Sequence, residues 1–121
     1  MKRITLDVVK QIYPLARDVY KGKSGMRAAQ DKLVRDAGMN PGSAWDYLGV
    51  FQRMMKGEGY TRTINKDAVR HFLKMILADF GQEALRLALS SVKQHTEYYR
   101  SLGYGGLPGI ENLHREFSKK L

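Results

Sequence analysis

Apolar residues recur three and four positions apart in stretch after stretch of this chain, and strict alternation is scarce. That is the pattern of amphipathic helices rather than strands. Val9, Ile12, Ala16 and Val19 draw a first stripe, with Thr5 placed to cap a helix that runs to about Lys21. Pro14 falls inside that run, so a kink or a break is expected there. Met26, Ala29, Leu33 and Ala37 share one face of a second helix over about 25–37, capped by Ser24 and stopped by Gly38. Met39-Asn40-Pro41-Gly42 then reads as a turn. Ser43 with Asp46 three residues on reads as a capping-box-like start of a third helix over 44–56. Its inner face would carry Tyr47 or Leu48, Phe51, and Met54 or Met55.

Gly57-Glu58-Gly59 predicts a loop, and the clearest helix follows it. Asn65 caps a run in which Val69, Phe72, Leu73, Ile76, Leu77 and Phe80 fall on one face, and Gly81 ends it. A fifth helix over about 82–102 places Leu85, Ala88, Leu89, Val92, Thr96 and Tyr99 on one side. Gly103-Tyr104-Gly105-Gly106-Leu107-Pro108 predicts a glycine-rich loop. A last helix from about Gly109 carries Ile110, Leu113, Phe117 and Leu121 at helical spacing. The expected fold is all-α, a compact bundle of about six short helices, with residues 1–121 as a single domain.

Length and composition agree with that expectation. A chain of 121 residues buries roughly two-thirds of its extended-state surface on folding, enough for a core without covalent staples. Apolar content of 43% with 27% charged residues is ordinary globular composition. There is no cysteine, so disulfides and thiolate metal sites are excluded and a reducing, cytoplasmic setting fits. The N-terminal stretch Met1–Thr5 has two basic residues and no apolar run behind them, and neither a signal peptide nor a membrane span is expected.

The charge is the most informative quantity: 21 Lys and Arg against 12 Asp and Glu, net +9. Residues 1–61 hold 11 basic and 6 acidic side chains and residues 62–121 hold 10 and 6, so the excess belongs to the folded body rather than to a tail. Such a field attracts phosphate backbones, acidic membranes or acidic proteins; the plainer alternative is that it only keeps the protein soluble.

Catalytic constellations are not evident. His71, His95 and His114 are far apart in sequence and none has a second histidine three or four residues away to share a metal. His95, a turn before Tyr98 and Tyr99, is expected to be hydrogen-bonded at a helix interface rather than a general base. Ser90-Ser91 lies mid-helix and makes no nucleophile elbow. The loop before the last helix lacks a phosphate-binding lysine signature and a preceding strand. The expectation is a binding protein, not an enzyme, with no metal or cofactor.

For binding, the fourth helix is the most suggestive stretch. Tyr60-Thr61-Arg62-Thr63-Ile64-Asn65 leads into a helix on which Lys66, Arg70 and Lys74 repeat every four residues. Successive members drift by about 40° around the axis, so the three form one stripe. A basic stripe next to Thr and Asn donors suits phosphate oxygens, although a solvated face would look the same. Arg86, Ser90, Lys93, Glu97 and Arg100 make a similar polar stripe on the fifth helix, and Lys119 and Lys120 add charge at the C-terminus. Trp45, Tyr60, Tyr98 and Tyr104 fall near loops or helix ends, where they would either stack on a base or cover the rim of the core. Residues 25–56 also allow a weakly patterned helix-turn-helix, with Trp45 and Tyr47 towards base edges and Arg53 and Lys56 near phosphate.

From Gly38 onward the chain resembles an N-terminal helical module fused to bacterial HNH-type restriction endonucleases. The carrying residues are Tyr60-Thr61-Arg62-Thr63-Ile64-Asn65, Phe80-Gly81, the spaced Leu85, Ala88 and Leu89, then His95, Tyr98-Tyr99 and Leu113-His114-Arg115-Glu116-Phe117. The resemblance implies a module that senses double-stranded DNA, in some cases modified cytosine, on behalf of a nuclease domain or subunit located elsewhere; the HNH metal motif is missing from these residues. The nucleic-acid contacts expected on this reading are Trp45, Tyr60, Arg62, Thr63, Asn65, Lys66, Arg70, Lys74, His95, Tyr98, Arg100 and Tyr104. The competing expectations are a protein-interaction module, such as a phage or mobile-element protein that docks on a nucleic-acid enzyme, for which six methionines, including Met54-Met55, would offer an adaptable surface, and an RNA-binding adaptor.

Overall fold

The structure is a computed structural model that describes residues 3–121; Met1 and Lys2, part of the basic N-terminal stretch, lie outside the described residues. The chain is all-α. Six helices form among the described residues: α1 (Leu6–Tyr20), α2 (Met26–Ala37), α3 (Pro41–Lys56), α4 (Lys66–Phe80), α5 (Gln82–Ser101) and α6 (Pro108–Ser118), with no strand. Their contacts gather into two compact units, Met1–Gln52 and Arg53–Leu121. No helix among the described residues is long and apolar enough to cross a membrane.

In the first unit, the Thr5 hydroxyl accepts the Val8 N–H at 3.4 Å and starts α1. Helix α1 is not broken at Pro14. Proline inside a helix removes one backbone bond and costs about 3 kcal/mol, but Val9, Ile12 and Tyr13 before it and Ala16 after it are all buried. Burial on both sides of the proline holds the two halves in one packed helix. Helix α1 packs on α2. Its Tyr13 ring also meets Phe51 of α3 edge-on at 5.5 Å, and Gln52 of α3 donates to the Ala16 carbonyl at 2.9 Å.

Two helix starts differ from the expectation. Ser24 does not cap α2: Gly25 is the N-cap, in extended conformation, and makes no side-chain cap bond. Helix α3 begins at Pro41 rather than Ala44, because the Asn40 side chain accepts the N–H groups of Gly42 (2.9 Å) and Ser43 (3.3 Å). Asn-Pro at this point is therefore an N-cap followed by proline at the first helical position, where the missing N–H costs nothing. The connector from α2 to α3 shrinks to Gly38, Met39 and Asn40, with Gly38 in the left-handed region at φ 68°.

In the second unit, α4, α5 and α6 each pack against the other two. Val69, Phe72, Leu73 and Ile76 of α4, Leu85, Ala88, Leu89 and Val92 of α5, and Ile110, Leu113 and Phe117 of α6 are buried. Leu77, Phe80 and Tyr99, expected inside, are half-buried, and Leu121 is exposed. Met54 and Met55 are buried, so they offer no adaptable surface.

Candidate nucleic-acid interface

The site is built on α4. The Asn65 side chain accepts the Ala68 N–H at 2.8 Å and fixes the start of the helix. Asn65 therefore serves as a cap, and its carbonyl oxygen is committed to the backbone. Beyond it Lys66, Arg70 and Lys74 are all exposed, because the apolar stripe of α4 is turned into the core. Arg70 pairs with Glu116 of α6 at 2.8 Å, both side chains 46% exposed. Lys66 and Lys74 take no acidic partner among the described residues.

Residues 57–64, which lead into α4, are held by a row of α5 side chains. Gln94 donates to the Gly57 carbonyl at 2.9 Å and Ser91 to the Glu58 carbonyl at 2.5 Å. His95 takes the Tyr60 carbonyl on Nδ1 at 2.7 Å and the Thr63 hydroxyl on Nε2 at 2.9 Å. A carbonyl oxygen only accepts, so Nδ1 carries the proton and Nε2 accepts from Thr63. The segment lies close enough that a Cβ at Gly59 would stand 3.0 Å from Gln94. At Gly57 the backbone is left-handed, φ 70°, a conformation that favours glycine, and a Cβ there would also press on the Leu87 methyl at 2.9 Å.

This arrangement corrects two expected contacts. His95 is 0% exposed and Tyr60 5%, their rings stacked at 4.4 Å and 14°. Both belong to the core and neither reaches a ligand; they position Thr63 and the chain leading into the basic stripe. Burial pushes the His95 pKa down, opposed by its bond to the Tyr60 carbonyl. Burial also raises the Tyr60 phenol, whose hydroxyl has no protein hydrogen-bond partner. Ser91, Gln94 and His95 have the spacing of one helix face, a local signal for this row of contacts.

Arg62 and Thr63 are exposed, the Thr63 hydroxyl being turned to His95. Tyr98 is 39% exposed on α5 and Tyr104 76% exposed on the loop after it. Arg100 is exposed but forks onto Glu111 of α6, at 3.1 Å from Nε and 2.7 Å from an Nη. That hydrogen-bonded pairing holds the Glu111 carboxyl below the usual carboxylate range, helped by the Leu107 N–H, which the same carboxylate accepts at 3.2 Å. A Cβ at Gly106 would stand 2.6 Å from the guanidinium, so glycine there makes room for the fork. In the first unit, Trp45 is 44% exposed but Tyr47 only 7%. Tyr47 packs into the core and does not face base edges, and Arg53 donates to the Gly59 carbonyl at 3.3 Å.

The structure thus brings Tyr60, Thr63, Asn65 and His95 together as the scaffold of one segment. It sets Lys66, Arg70 and Lys74 on the exposed face that follows. Compared with known protein families, characterised proteins and solved structures, the chain matches none.

Proposed function

We propose that this chain is a nucleic-acid-binding module that grips the phosphate backbone of duplex DNA through Lys66, Arg70 and Lys74, without chemistry of its own. The observation that carries the reading is the exposed stripe on α4, two of whose three cations have no acidic partner among the described residues. The surrounding unit, residues 53–121, holds 12 basic and 7 acidic side chains, so the stripe sits in a positive field. The Arg70–Glu116 pair is half-exposed, and pairs of that kind contribute about 0–1 kcal/mol, so a phosphate displaces the carboxylate at little cost. Arg62, just before the helix, lies on the same segment that His95, Ser91 and Gln94 hold in place. The resemblance to the DNA-sensing modules of HNH-type nucleases supports duplex DNA as the partner, modified cytosine as the feature read, and a nuclease domain elsewhere as the beneficiary. Met54 and Met55 are buried and so lend nothing to a protein-docking role.

The test is a triple variant, Lys66→Gln with Arg70→Gln and Lys74→Gln, titrated against a labelled 20-base-pair duplex at 0.1 M salt. Three lost phosphate contacts should weaken binding on the order of 10²-fold, with helix content unchanged by circular dichroism. Unchanged affinity overturns the assignment to α4. Tighter binding of single-stranded RNA in competition overturns the choice of partner.

A further inference from the structure

The Gly103–Gly106 loop carries the most exposed large hydrophobic side chain among the described residues, Tyr104. Gly103 and Gly105 flank it with φ of 84° and 93°, a backbone that other residues rarely adopt. The loop is pinned at both ends. Gly103 N–H bonds the Arg100 carbonyl at 3.1 Å, and Leu107 N–H bonds the Glu111 carboxylate that Arg100 grips with its fork. The tyrosine therefore stands out from a short loop with a braced foot. Among the described residues, the ring contact of Tyr104 is with Tyr99, 6.3 Å away and tilted by 58°, so the two do not stack.

Two cations lie along the chain just after Tyr104, one at the end of the loop and one at the first turn of α6. The Arg100 guanidinium is 2.6 Å from where a Cβ at Gly106 would stand, and the Lys66 chain is 3.3 Å from the corresponding point at Gly109. Lys66 opens the α4 stripe, so the stripe starts beside the first turn of α6, which the loop leads into. A nucleic acid lying along Lys66, Arg70 and Lys74 would have one end of its backbone at the start of α6, a few residues after Tyr104.

We infer that Tyr104 is a stacking platform for one unpaired nucleobase, with Lys66 and Arg100 beside the flanking phosphates. The inference rests on the nucleic-acid reading of the α4 stripe and adds a feature that stripe does not need: a preference for a bulged or unstacked nucleotide over continuous duplex. Base-on-aromatic stacking contributes about 1–3 kcal/mol by alanine substitution and tolerates any base. The braced loop keeps the ordering cost on binding low.

The probes are a 20-base-pair duplex and the same duplex carrying one extra 2-aminopurine nucleotide as a bulge. The wild-type protein should bind the bulged form roughly 5–150-fold more tightly and change the 2-aminopurine fluorescence on binding. Tyr104→Ala should bring the bulged form level with the paired one. Tyr104→Phe, which keeps the ring, should retain the preference. Salt-sensitive binding of both duplexes with no preference overturns the platform and leaves the stripe standing. Binding to neither overturns both. A preference that survives Tyr104→Ala also overturns the platform.

Discussion

His95 has both ring nitrogens engaged inside the protein, one as donor to the Tyr60 carbonyl and one as acceptor from Thr63. That arrangement uses the neutral ring, and burial favours the same form by pushing the pKa below its ordinary 6.5. The unfolded chain then binds a proton more readily than the folded one. Stability is insensitive to this group above about pH 6.5 and falls as pH drops below it, by at most about 1.4 kcal/mol per unit. His95→Gln keeps polar bonding without titrating. Urea unfolding between pH 7.5 and 5 should show the wild-type advantage over this variant shrinking as pH falls; a constant gap would mean that the ring does not titrate in that window. Tyr60 offers a second check. Its hydroxyl has no protein partner, and an unpaired buried hydroxyl costs about 1–3 kcal/mol. Tyr60→Phe preserves the ring stacked on His95, so its melting temperature should equal or exceed that of the wild type.

At the scale of elements, the caps decide where helices begin, and they separate what the sequence carried from what it did not. Asn65 and Thr5 stand directly before apolar stripes and were legible as caps. Asn40 was not, because Asn-Pro-Gly is equally the chemistry of a turn, and Ser43 with Asp46 imitated a capping box three residues later. The structure predicts that Asn40→Ala lowers stability by about 1 kcal/mol while Ser43→Ala changes it by less than about 0.5 kcal/mol, both read from thermal unfolding. Equal effects would contradict the Asn40 cap. Pro14 was visible but its outcome was not, since the burial that keeps α1 continuous comes from tertiary packing. The candidate site divides the same way. The four-residue repeat of Lys66, Arg70 and Lys74 is local and could be read off the chain. The partners are not local: Arg70 meets Glu116 from another helix, and Tyr60 turns inward to a histidine 35 residues away. A tyrosine between two glycines and a helix cap looks like a loop aromatic until its partner is known.

For the molecule as a whole, net charge of +9 is shared by both halves of the sequence, and its distribution among side chains matters more than its sum. In the pairs Arg27–Asp31, Arg35–Asp36, Arg70–Glu116, Arg86–Glu83 and Arg100–Glu111 the cation is an arginine. Lys66, Lys74 and Lys93 have no acidic partner among the described residues. A polyanion that engages such groups releases condensed counterions, and its affinity must then depend steeply on salt. The most direct test of the account is the affinity for duplex DNA between 50 and 200 mM potassium chloride. With at least the three α4 contacts formed, the logarithm of the association constant should fall against the logarithm of salt with a slope of about −2.7 or steeper. The triple glutamine variant should flatten that slope by about the same amount. A flat plot for the wild-type protein, or a variant with an unchanged slope, would contradict the claim that this helix holds the phosphate backbone.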